Sequence, residues 1–120
     1  MTQCLLVEDD DGCRMLLQAT LQFYGCQVVA PTTLCGLERV FARCVQFEVV
    51  LFDGCLWNSS WLNFKADILQ SLVPEGRLIC VSSDPLVATV ASRVFDREVE
   101  YSGKDPVALE RLLLEPQLVG

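Results

Sequence analysis

Histidine is missing from this sequence altogether, and its seven cysteines include no Cys-x-x-Cys pair, so zinc sites and dithiol redox motifs lose the residues they would need. Positive charge is scarce as well. Nine Lys and Arg stand against sixteen Asp and Glu, giving a formal charge of −7 and a pI near 4.4, so a phosphate backbone would be repelled rather than held. That argues against direct nucleic-acid binding. No apolar run approaches the length of a membrane span, and no basic segment leads into an apolar signal core, so no membrane attachment and a cytoplasmic location are expected. Glycine and proline are few, and no repeat, linker or low-complexity tract interrupts the chain. With 52% hydrophobic residues in 120, one domain over residues 1–120 with its own core is expected. Several of the odd set of cysteines, Cys4, Cys13, Cys26, Cys35, Cys44, Cys55 and Cys80, fall within strand or helix patterns where a small apolar side chain fits, and the set reads as buried, reduced thiols.

Five short apolar strands alternate with five helix-length segments, the pattern of a βαβ series closing into a parallel sheet. Asp10 or Asp11 caps a first helix running to about Tyr24, with Gly25 as its stop. Val28-Val29-Ala30 reads as the second strand, and Leu37, Val40, Phe41 and Cys44 as the apolar stripe of the second helix. Ser59 or Ser60 caps a third helix carrying Trp61, Phe64, Ile68 and Leu72. Asp84-Pro85 opens a fourth with Val87, Val90, Ala91 and Val94 inward, and Asp105-Pro106 opens a fifth that packs through Leu109, Leu112 and Leu113. Glu98 to Tyr101 is the weakest strand.

Polar residues gather where the strands end. The run Cys4-Leu5-Leu6-Val7 finishes in Glu8, Asp9 and Asp10; Val49-Val50-Leu51-Phe52 finishes in Asp53; Leu78-Ile79-Cys80-Val81 finishes in Ser82 and Ser83; the last strand leads to Tyr101 and Lys104. In a parallel sheet these C-terminal ends share one edge. Glu8, Asp9 and Asp53 crowded there would raise one another's pKa unless a cation neutralised them, and Mg²⁺, which takes one or two carboxylates and keeps water positions for phosphate oxygens, suits the place. A carboxylate beside such a metal can attack a phosphoryl group and form an acyl phosphate. Lys104 is one of two lysines, so its position after the last strand is not part of a general basic face. It fits a partner for Asp53 before transfer and for a phosphoryl oxygen afterwards, while Ser82 offers a hydroxyl and Tyr101 a side chain that reorients when that hydroxyl moves.

Over essentially its whole length the chain resembles the receiver domains of bacterial two-component response regulators, the CheY-like family, through Val7-Glu8-Asp9-Asp10, Leu51-Phe52-Asp53, Val81-Ser82-Ser83 and Tyr101-Ser102-Gly103-Lys104. The resemblance implies a flavodoxin-like (βα)5 fold with strand order 2-1-3-4-5. It implies Asp53 as phosphoacceptor, Glu8, Asp9, Asp53 and the backbone carbonyl of Cys55 as Mg²⁺ ligands, and Ser82, Lys104 and Tyr101 as the phosphoryl-binding and switch residues. Cys55 and Asp84 take the variable positions that tune phosphoryl lifetime. A histidine kinase or His-phosphotransfer protein would be the donor. The signal would pass to a downstream protein or an attached output domain, and the 85–114 face would bind partners or a second copy. Three positions depart from the pattern: Trp57 stands where receivers usually have proline, Ser83 replaces a small apolar residue, and Lys104-Asp105-Pro106 splits the usual Lys-Pro pair.

Other readings fare worse. A dehalogenase-type phosphatase would need a second acid two residues from Asp53, where Leu51 and Cys55 stand. A flavodoxin-type electron carrier would meet repulsion between a flavin phosphate and Glu8 to Asp10. The alternative that remains is a receiver-fold interaction module that binds its partner without phosphorylation, for which Trp57 and the split lysine element speak; Trp57 reads equally as a loop contact or an interface anchor.

Overall fold

Apolar runs without polar alternation are the mark of strands covered on both faces. In the computed structural model, which describes residues 2–53, 67–95 and 97–114, β3 (Val49–Asp53) is buried at every position and β4 (Arg77–Val81) at all but Arg77. With β1 (Thr2–Val7), β2 (Cys26–Val29) and β5 (Glu100–Ser102) they form a five-stranded sheet in the order β2-β1-β3-β4-β5, every pair parallel. The expected doubly wound topology is present. Helices α1 (Asp11–Phe23), α2 (Leu34–Arg43), α3 (described over 67–71) and α4 (Leu86–Phe95) lie in the four crossovers, and α5 (Pro106–Leu114) follows the last strand.

The sheet divides the core in two. Alternate strand residues Leu5, Val50, Phe52 and Cys80 pack with Leu37, Phe41, Leu69, Ala88, Ala91 and Phe95, while Cys4, Leu6, Leu51 and Ile79 pack with Leu17, Leu21 and Leu109. Phe52 meets Phe95 with ring centroids 5.3 Å apart, tying β3 to α4. Backbones approach closely where the chain enters β4: Arg77 N donates to Glu48 O at 2.9 Å, and a Cβ on Gly76 would lie 2.1 Å from that same oxygen.

Capping follows the sequence closely. Asp10 Oδ2 accepts from Cys13 N at 2.8 Å, Thr33 Oγ1 from Gly36 N at 3.0 Å, Asp84 Oδ1 from Leu86 N at 3.0 Å and Asp105 Oδ1 from Ala108 N at 2.8 Å. Gly25, at φ 85°, turns the chain after α1, as a residue without Cβ readily does.

Five expectations need correction. Strand β2 begins at Cys26 rather than Val28 and ends before Ala30, because the Gly25 turn delivers the chain directly to the β1 edge. Strand β5 is Glu100–Ser102, since Val81 draws Ser102 into register. On α4 Ala88, Ala91 and Phe95 are buried and Val87 packs against the core as expected, whereas Val90 and Val94 are exposed; the helix is turned so that its small residues and Phe95 meet the sheet rather than the valine stripe. Cys44 is not in the α2 stripe: it is the exposed, left-handed cap at φ 52°. Burial of the cysteines is also less than expected: of the six free thiols among the described residues, Cys4 and Cys80 on the sheet are buried, Cys13 and Cys26 are half-buried, and Cys35 and Cys44, at the start and the end of α2, are exposed. No helix of the described residues is long and apolar enough to cross a membrane.

Candidate functional site

Register places the polar strand ends before any side chain is considered. Val7 pairs with Phe52 and Asp53 with Val81, so Glu8 comes level with Asp53 on one side and Ser82 one step beyond it on the other. Asp53 therefore sits at the centre of the edge. Val81 in turn pairs with Ser102, which brings the chain from β5 to Lys104 over the same edge.

The side chains converge as that frame requires. Ligand oxygens of Glu8, Asp9 and Asp53 all lie within 4.8 Å of one another, with Glu8 and Asp53 buried and Asp9 exposed. Lys104 Nζ reaches in from solvent to 3.0 Å from Asp53 Oδ1 and 3.5 Å from Glu8 Oε2. The residue inserted between Lys104 and Pro106 thus does not carry the lysine away from the acids. Asp105 is used as the α5 cap instead.

Electrostatics at Glu8 are unfavourable to a second buried charge. One of its oxygens, Oε1, accepts from the Asp10 amide at 3.1 Å, while Oε2 is buried and receives no well-directed hydrogen bond. Burial first, and contact with the Asp53 carboxyl second, push the Glu8 carboxyl up from 4.5 to about 7. Three carboxylates with an undersatisfied buried oxygen make a hard, oxygen-rich donor set of the kind that fits Mg²⁺ or Ca²⁺ rather than a soft metal.

The hydroxyl side of the edge is organised by backbone. Ser82 is buried, its amide donates to Ser102 O at 3.0 Å, and its Oγ accepts from Asp84 N at 3.1 Å, which leaves the hydroxyl proton to donate elsewhere. The Tyr101 hydroxyl donates to Ser82 O at 2.8 Å from a half-buried ring packed against the larger core cluster. Asp84 is exposed and holds the first turn of α4. Cys55, Trp57 and Trp61, with Phe64, Ser59 and Ser60, lie outside the described residues, so the expected Cys55 carbonyl ligand is not placed.

Sequence reasoning missed one buried charge. Arg14, 7% exposed, lies behind the acidic loop, where Nη1 donates to Glu8 O at 3.4 Å and Nη2 pairs with Asp11. The signal was available: Arg14 shares the i, i+3, i+7 stripe of Leu17 and Leu21, and a cation in an apolar stripe needs a buried partner.

No family model matches the sequence, and no curated protein is similar to it at a significant level. Solved structures are similar in fold. A response regulator of Burkholderia pseudomallei, whose crystal holds a phosphorylated aspartic acid, a calcium ion and citrate, superposes with TM-score 0.73 at 21% identity, over 98% of this chain and 68% of that one. A receiver domain of Aquifex aeolicus gives TM-score 0.69 at 23% identity over 95% and 92%. A designed Rossmann-type protein also superposes, with TM-score 0.59 at 10% identity over 100% and 99%. The chain has the flavodoxin-like fold of CheY-like receiver domains, and a designed protein sharing the architecture shows that the chemistry must be argued from the side chains.

Proposed function

We propose that this chain is a phosphorylation-dependent signalling switch of a two-component phosphorelay, accepting a phosphoryl group on Asp53 with Mg²⁺ held by Glu8, Asp9, Asp53 and the Cys55 carbonyl. The observation that carries this reading is the convergence of three carboxylates and one lysine on a single sheet edge, with Asp53 central and in contact with Lys104 at 3.0 Å. An Asp53 oxygen displaces the donor's imidazole at phosphorus: the P–N bond breaks, the acyl-phosphate P–O bond forms, and the imidazole keeps the electron pair and takes a proton from water. The metal, when bound, supplies charge neutralisation for the phosphoryl oxygens.

The chain's own groups do the rest. Lys104 exchanges its contact with Asp53 Oδ1 for one with a phosphoryl oxygen, and the Ser82 hydroxyl donates to another. Movement of Ser82 displaces the carbonyl to which Tyr101 is bonded, so the state of the acid pocket is transmitted to the β5 side of the molecule. Asp84 and Cys55 are the positions that set the lifetime of the acyl phosphate. The domain is not a turnover enzyme; self-catalysed transfer and autodephosphorylation are its chemistry.

A histidine kinase or His-phosphotransfer protein in the cytoplasm is the donor, and a downstream protein or attached output domain is the receiver of the signal. The 85–114 face, where Leu86, Val90, Val94 and Val107 are exposed, serves partner binding or homodimerisation. Intact-mass analysis after incubation with acetyl phosphate and Mg²⁺ tests the proposal. One phosphoryl adduct, abolished by Asp53→Asn and by EDTA, is expected. Absence of an adduct under rapid quench, together with no beryllofluoride binding, would favour the constitutive interaction module.

A further inference from the structure

We propose that Arg14 is a positioning residue for the divalent-cation pocket, fixing from behind the loop that carries Glu8 and Asp9. The inference rests on the reading of that pocket given above. Arg14 continues the buried stripe of Leu17 and Leu21 on α1, and burying a guanidinium is costly unless its donors are used. Two of them are spent on the acidic loop: Nη1 reaches the Glu8 backbone carbonyl at 3.4 Å and Nη2 pairs with the Asp11 carboxylate. One side chain therefore grips positions 8 and 11, at the two ends of the loop. Glu8 and Asp9 provide two of the three carboxylates of the cluster and are held between those points.

Its partner Asp11 is largely exposed, with 82% of its side-chain surface accessible, so solvent screens that pair and the salt bridge alone gives little reason to bury the cation. Contact with the ligand-bearing loop supplies the reason. Groups that orient metal ligands without touching the metal commonly change affinity by factors of ten to a hundred when removed. Coulomb's law predicts the opposite sign for a mere bystander charge, because removing a cation from beside a cation site tightens binding.

Mg²⁺ titration of the whole domain, followed by calorimetry and by backbone amide shifts of Asp9 and Asp10 well below the melting temperature, separates the two. Wild type, Arg14→Met, Arg14→Lys and Asp53→Asn are compared. Arg14→Met is expected to weaken Mg²⁺ binding by about tenfold or more. Arg14→Lys, which keeps the charge but loses the forked donor set, is expected to be weakened several-fold, and it carries the comparison if Arg14→Met does not fold. Binding by either folded variant as tight as wild type, or tighter, would overturn the positioning role while leaving the pocket assignment intact. A wild type that binds no Mg²⁺ would overturn the pocket assignment and this inference with it.

Discussion

Glu8→Gln replaces a carboxylate whose ionisation the fold opposes. Burial and the Asp53 carboxyl push Glu8 up to about 7, while Lys104 and the Asp10 amide work in the other direction without winning. Between 4.5 and about 7 the folded chain therefore keeps a proton that the unfolded chain has lost. The folded state binds more protons in that window, so this group's contribution is fully present below 4.5 and disappears as pH rises through about 7. The interval corresponds to about 3 kcal/mol as an upper figure. Urea unfolding in EDTA at pH 5, 6.5 and 8 measures it. Other carboxylates titrate in both proteins, so the stability of Glu8→Gln minus that of wild type isolates the effect, and this difference should move in favour of Gln by about 2 kcal/mol between pH 5 and 8. Mg²⁺ should close the gap at pH 8 by stabilising wild type more than the variant. A difference that stays constant with pH would refute the account of Glu8 as a buried acid held against its ionisation.

Further outcomes follow from the same geometry. Lys104→Met removes a cation 3.0 Å from Asp53 and should tighten Mg²⁺ binding yet slow adduct formation from acetyl phosphate by about tenfold or more, read by calorimetry and time-resolved intact mass. Gly76→Ala places a Cβ against the Glu48 carbonyl, 2.1 Å away before relaxation, and should cost about 1–3 kcal/mol in urea unfolding, with the loss seated at the entry to β4. Leu86→Ser with Val90→Ser alters exposed side chains and should shift stability by less than about 0.5 kcal/mol each. If the 85–114 face pairs on phosphorylation, that double variant should remain monomeric with beryllofluoride in analytical ultracentrifugation while the wild type dimerises.

Local chemistry explains which features could be read in advance. Asp10, Asp84 and Asp105 act as caps because a short polar side chain can reach amides two or three residues ahead, a relation written entirely within a few positions. The unbroken apolar runs of β3 and β4 are central strands for an equally local reason. In Leu86–Phe95 the apolar side is wider than the face the sheet covers, and packing chose which part of it to bury: Val90 and Val94 face outward and Ala88 and Phe95 inward. Cys44 followed helical spacing but became the left-handed end of its helix, a conformational outcome that spacing does not encode.

The order of apolar runs and turn residues was sufficient for a parallel sheet, and the acids, serine and lysine at the run ends were sufficient to say which groups share its edge. Tertiary structure decided how they share it. Only the register of β1 against β3 brings Glu8 level with Asp53, only the path from β5 puts Lys104 within 3.0 Å of it, and only packing against the sheet turns Arg14 back onto the Glu8 carbonyl. These are relations between residues dozens of positions apart, or between a side chain and its burial, and they exist because the folded core fixes distances and excludes solvent in ways that no short stretch of sequence can.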